Sequence, residues 1–150
     1  MMKTKLILAA LLVAFAGRLF AAEQTSWLTD YKAALATAKR EKKTVLMDFT
    51  GSDWCGWCIK LRREVFDTPE FSRYAKENLV LLEIDFPQRQ PQSEELRRQN
   101  DALMRQFNIE GFPTLIVLDA DGKQIGQTGY VPGGPQRFIE NINSIKTRTH

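Results

Sequence analysis

The sequence predicts an α/β domain with a central mixed sheet flanked by helices on both faces. Three observations carry this reading. The runs "TVLMDFT" (44–50), "LVLLEID" (79–85) and "FPTLIVLD" (112–119) are short, apolar and rich in β-branched residues, as buried strands are. Helical patterns separate these runs, so consecutive strands need crossovers rather than tight turns. Finally, Asp121-Gly122 is a hairpin signal that joins the third run to a weaker fourth strand at one edge. There is no internal repeat and no sign of a second domain.

Taken in order, Leu28, Tyr31, Leu35 and Ala38 recur at helical spacing and predict an amphipathic helix over 27–42. The strand 44–50 follows, and Gly51-Ser52-Asp53 turns the chain into a helix running from about Cys55 to Val65. Thr68 caps a further short helix, with Pro69 in its first turn, through Glu77. After the strand 79–85 comes a proline- and glutamine-rich loop, "FPQRQPQ" (86–92). Ser93, backed by Glu94 and Glu95, caps a helix whose Leu96, Leu103 and Phe107 share a face. The strand 112–119 and the hairpin lead into a strand over 123–131, weakened by two glycines. Pro132-Gly133-Gly134-Pro135 breaks the chain before a last helix over 136–147.

Residues 1–22 read as an export signal, leaving 23–150 as the mature domain. Lys3 and Lys5 precede an apolar run from Leu6 to Ala16, which is shorter than the roughly 20 residues a spanning helix needs. Cleavage near Ala21–Ala22 would expose a polar start at Glu23 and Gln24, and an exported, periplasmic or extracellular protein follows. The segment holds three of the 21 basic residues and none of the 18 acidic ones, so its removal leaves a formally neutral chain. Neutrality removes the electrostatic case for a nucleic-acid partner. A core of this size also needs no disulfide staples.

The chemistry lies in "GSDWCGWCIK" (51–60), which contains both cysteines of the chain. Cys55 and Cys58 at i and i+3 share one helix face and can bridge. A zinc site needs about four ligands, and the single histidine is the terminal His150, so no metal is expected. A structural disulfide closing so small a ring would stabilise by only about 2 kcal/mol. A redox pair uses the position better. Unpaired N–H groups and the dipole at a helix start favour a thiolate, with Cys55 exposed and Cys58 buried one turn in. Lys60, Arg62 and Arg63 add positive charge, and Asp53 partly opposes it. Gly56 leaves room for another chain's backbone. Trp54 and Trp57 read either as rim packing or as an apolar collar gripping a partly folded substrate. A binding module with incidental cysteines is the alternative from another class.

"VLMDFTGSDWCGWC", with "GFPT" about 55 residues later, resembles the thioredoxin superfamily, and in particular exported bacterial thioredoxin-like proteins. The resemblance spans residues 26–147 and implies a thioredoxin-like fold with no cofactor. It implies that Cys55 attacks a substrate disulfide and Cys58 resolves the mixed disulfide. Pro113 would be a cis-proline set against the cysteines, and Phe112 would offer its backbone to a substrate strand. Asp48 would be a buried carboxylate assisting proton transfer at Cys58, although one extra residue here separates strand and motif. Trp57 stands where thioredoxin has proline, and Ile59 where a lysine is usual. Family potentials span about −270 to −120 mV, so the resemblance alone leaves oxidase and isomerase open beside reductase. The expected activity is reduction of protein disulfides by a monomer that a membrane partner supplies with electrons. Asp48 is the reason for that direction.

Overall fold

A computed structural model describes residues 25–148, so the export signal expected over 1–22 lies outside the described residues. The chain forms β1 (Trp27–Leu28), α1 (Tyr31–Glu41), β2 (Thr44–Thr50), α2 (Gly56–Leu61) and a π-turn (Arg62–Phe66). It continues through α3 (Pro69–Asn78), β3 (Leu79–Asp85), α4 (Glu94–Gln106), β4 (Thr114–Leu118), β5 (Gln124–Thr128) and α5 (Gly134–Thr147). The sheet order is β1-β3-β2-β4-β5. β1, β3 and β2 run parallel, β4 runs antiparallel to β2, and β5 runs antiparallel to β4. The mixed sheet with a hairpin at one edge is therefore as the sequence predicts.

Alternation along the central strands divides the core in two. Leu46, Leu81, Leu115 and Val117 pack with Leu61, Val65, Phe71, Phe138 and Ile142, beneath α2, the π-turn, α3 and α5. Val45, Met47, Phe49, Leu82, Ile84 and Ile116 pack with Ala34, Ala38 and Leu103 of α1 and α4 on the other face. Asp48 is two residues from Leu46, so it shares that residue's face, the one covered by the redox helix. In register it stands beside Glu83 on β3 and Leu115 on β4.

Several boundaries differ from the sequence reading, each for a local reason. The helix predicted over 27–42 begins only at Tyr31. Asp30 caps it by accepting the Ala33 N–H at 2.7 Å, and Trp27 and Leu28 instead form the edge strand β1 against Leu81 and Leu82. The helix predicted from Cys55 begins at Gly56, with Cys55 as its cap, and widens into a π-turn closed by the Asp67 N–H on the Arg62 carbonyl (2.9 Å). That wider turn leaves Val65 and Phe66 buried side by side. β4 starts at Thr114, after the 112–113 bond, and β5 ends at Thr128 rather than 131. α5 starts two residues early, at Gly134, capped by Gly133 at φ 114°, a conformation that favours glycine.

Candidate functional site

β2 delivers the chain to the sheet's end at Thr50, and a tight turn then places the motif. The Trp54 and Cys55 N–H groups both donate to the Gly51 carbonyl, at 3.2 and 2.8 Å. The Trp54 indole folds back over this turn so closely that a Cβ on residue 51 would lie 2.4 Å from Trp54 Cε2. Any side chain there would have to displace the Trp54 ring.

Cys55 and Cys58 are joined as a disulfide, with Cα atoms 5.2 Å apart. Cys55 Sγ also accepts the Cys58 N–H at 3.3 Å, which makes the first cysteine the cap of α2. The expectation that Cys55 stands exposed needs correcting: it is 7% exposed, against 5% for Cys58. Cys55 Sγ lies over the first turn of the helix, bonded to Cys58 Sγ and accepting the Cys58 N–H. What stands exposed is the apolar rim. Trp54 (38%), Trp57 (57%) and Ile59 (46%) are large hydrophobic side chains in the open, all within the motif or next to it. Space is open above Gly56, where a Cβ would meet nothing within 4 Å.

The rim has two flanks. On one, Trp54 meets Phe112 edge-on at 5.9 Å, and Phe112 stacks on Phe86 at 5.2 Å. The Phe112–Pro113 bond is cis, as the resemblance implies. On the other flank, Trp57 lies 5.2 Å from Tyr130, with Lys60 Nζ 5.1 and 5.3 Å from the two ring centroids. The Tyr130 hydroxyl donates to Glu64 at 2.6 Å. Nothing in the sequence singled out Tyr130, because the strand read over 123–131 shows no periodicity that would aim it at the motif.

Beneath the motif, Asp48 is 3% exposed, and its Oδ1 has no hydrogen-bond partner within the protein. Burial pushes its pKa up to about 7; Arg62 opposes the rise, and Glu83 and Asp85 add to it. Glu83 is likewise raised by burial, with Arg62 opposing. Arg62 reaches from the π-turn to make an ion pair with Glu83, and its guanidinium lies 5.6 Å from the Trp27 ring. Arg62 thus works from below the motif as the counter-charge to a small acidic group. Among the described residues no cluster of three or more His, Cys, Asp or Glu side chains could hold a metal ion. No helix among them is long and apolar enough to cross a membrane.

A buried carboxyl near neutrality, set on the face covered by a dithiol helix, suits proton-coupled exchange between thiols and disulfides. Comparisons with known proteins agree. A model of the thioredoxin-like domain matches residues 31–144. The disulfide bond reductase DsbH of Chlamydia pneumoniae is 39% identical over 127 residues, which cover 85% of this chain and 76% of that protein. A solved DsbH oxidoreductase structure superposes with a TM-score of 0.78, covering 85% of this chain and 88% of the other. The thioredoxin-related protein DsbJ, also of Chlamydia pneumoniae, is 37% identical over 69% of this chain, but the match covers only 30% of its own length. With a family model across most of its length and a relative well above 30% identity, the chain belongs to the thioredoxin-like family, and its Cys55–Cys58 pair makes it a protein thiol–disulfide oxidoreductase.

Proposed function

We propose that the protein is an exported reductase of protein disulfides. In the reduced form the Cys55 thiolate attacks one sulfur of a substrate disulfide, forming a mixed disulfide and releasing the other substrate thiolate. Asp48, as the carboxylate, accepts the Cys58 thiol proton. The Cys58 thiolate then attacks Cys55 Sγ, closing the Cys55–Cys58 disulfide and freeing the second substrate thiolate. Two electrons have passed to the substrate; Asp48 gives the Cys58 proton back to a departing thiolate or to solvent, the other thiolate takes its proton from solvent, and a dithiol donor, in this reading a membrane partner, reduces the Cys55–Cys58 disulfide again.

The single observation that carries the direction is the burial of Asp48 with a pKa of about 7, which makes it a base suited to Cys58 near neutral pH. Asp53, two residues before Cys55, adds a negative charge that works against the very stable thiolate a strong oxidant gains from. In the same reading, Trp54, Gly56, Trp57, Phe112 and Pro113 receive the substrate segment around its disulfide. Residues 1–22 direct export and 23–150 act as a monomer in an extracytoplasmic compartment. The similarity to DsbH, a named disulfide bond reductase, supports this direction. The test is the equilibrium potential against glutathione, together with insulin reduction. A potential nearer −270 than −120 mV is expected on the scale spanned by this fold; one of about −120 mV would mark an oxidase instead.

A further inference from the structure

Each of the three residues before Cys55 is bonded to the last residue of β3 or to the segment that follows it. The Ser52 N–H and hydroxyl both donate to Asp85, at 2.9 and 2.6 Å. Asp53 accepts three successive backbone N–H groups: Gln88 on Oδ1 at 2.9 Å, then Arg89 and Gln90 on Oδ2 at 2.6 and 2.9 Å. The Trp54 indole N–H donates to the Phe86 carbonyl at 2.8 Å. Successive amides turned toward one point form the concavity with which backbones bind anions, and here the anion is the chain's own carboxylate. Those amides hold Asp53 below the usual carboxylate range. A loop with prolines at 87 and 91 is in this way tied to the redox motif rather than left to move with solvent. The tie also fixes the apolar surface beside Cys55. Phe86 begins the loop and stacks on Phe112, Phe112 meets Trp54, and Trp54 cannot swing while its N–H is engaged.

We propose that Asp53 is a positioning residue for substrate selection. By clamping residues 88–90 it fixes the loop as one wall of the substrate groove, lined by Trp54, Phe112 and Phe86. The occupant is an extended segment of the protein that carries the disulfide. The proposal rests on the reductase reading for its substrate and adds to it a determinant outside the thiol chemistry. A wall fixed in advance spares the complex the cost of ordering loop and rings on binding, so its loss appears in half-saturation and not in the chemical step. The clamp also explains an acidic residue beside a thiolate. Asp53 acts against the thiolate by charge, so a role in chemistry would be a handicap, whereas a role in placing the loop is not.

The two roles predict opposite signs. Removing a negative charge beside Cys55 favours its thiolate and would by itself speed exchange at neutral pH. Releasing the loop slows exchange with a protein and leaves a small disulfide unaffected by the groove. The experiment uses the full mature chain, reduced and freed of reductant, in single-turnover reaction with insulin and with the small disulfide 5,5′-dithiobis(2-nitrobenzoate). For Asp53→Asn, half-saturation by insulin should rise about five-fold or more, with a limiting rate within about two-fold of wild type. The rate with the small disulfide should hold or rise. Trp54→Phe keeps a ring but loses the bond to Phe86, and should move insulin half-saturation the same way; it also decides the matter if Asp53→Asn does not fold. Insulin and small-disulfide rates falling together, or both rising, would overturn the clamp. A wild-type protein that reduces the small disulfide but not insulin would overturn it too, while leaving the dithiol chemistry intact. One that reduces neither would remove the reductase reading itself.

Discussion

Replacing Asp48 with asparagine removes the ionisable group buried beneath the redox motif, and the effect on stability follows from its surroundings. The carboxyl titrates at about 7 in the native protein against 3.8 for the free side chain, chiefly because burial penalises its charged form. Below about pH 3 it is neutral in both native and unfolded chains and costs the fold nothing. As pH rises from about 4 to about 7 the unfolded chain ionises while the native one resists, so stability falls through this window and levels off above it. The two values correspond to a loss of about 4 kcal/mol, complete by about pH 8.5. Asparagine cannot ionise, and its buried amide without a full set of partners returns about 1–3 kcal/mol of that loss. Asp48→Asn should therefore be the more stable protein at pH 8.5, by about 1–3 kcal/mol, and should show no comparable gain at pH 4. Urea unfolding of the disulfide form at both pH values, followed by circular dichroism, measures this directly. The same variant should slow insulin reduction by about 10²-fold, the lower end of what a positioned base contributes. A wild-type stability that does not fall between pH 4 and 8.5, or a variant with the same pH dependence as wild type, would refute the reasoning.

Cys58→Ser should accumulate a mixed disulfide with a substrate protein on Cys55, visible on non-reducing gels, whereas Cys55→Ser should form none; faster alkylation of Cys58 than of Cys55 in the reduced protein would reverse the assignment. Arg62→Gln removes the cation that restrains Asp48, so the Asp48 carboxyl should titrate higher than in wild type by carbon-13 NMR, and an unchanged or lower value would remove Arg62 from the site's electrostatics. Gly51→Ala places a methyl group against the Trp54 ring; displacing the ring should cost about 1–3 kcal/mol in urea unfolding and shift the tryptophan emission to the red.

Much of this architecture was legible because burial leaves a strong mark on short sequences. β2, β3 and β4 are covered on both faces, so their residues read as continuous apolar runs. The cysteine spacing, the cis bond at Pro113 and the burial of Asp48 were all legible from the motif and the family pattern that it matches. β1 was missed because two residues are too few to show a period, although Asp30 ahead of Tyr31 was a cap signal that pointed to the later helix start. The π-turn was missed because its residues suit an ordinary helix. The clamp on the loop could not be read at all. Its donors are backbone N–H groups 35 to 37 residues from Asp53, and backbone groups leave no mark in side-chain pattern. Cys55 was expected to stand exposed as a free thiol at a helix start, whereas the structure holds it in a disulfide with its sulfur capping the helix.

The chemistry and the substrate edge depend on one structural fact, the parallel register of β2 with β3. That register sets Asp48 beside Glu83 and Thr50 beside Asp85. The first pairing gathers the acidic group that Arg62 balances beneath the redox helix. The second brings the end of β3 level with the end of β2, so that the Phe86 N–H can donate to the Thr50 carbonyl at 2.9 Å. Past that point the two chains leave the sheet together, one as "GSDWC" and the other as "FPQRQ", and Asp53 and Trp54 cross-link them. A slip of one residue would turn Asp48 to the opposite face of the sheet and carry Asp85 out of reach of Ser52. The proposed proton acceptor and the proposed wall of the groove would be lost in the same step, without any change at the cysteines. The apolar residues around Asp48, Leu46 on its own face and Met47 and Phe49 on the other, hold that register through the two halves of the core. The redox site is in this sense specified by the hydrophobic pattern of its strands as much as by the motif that they carry.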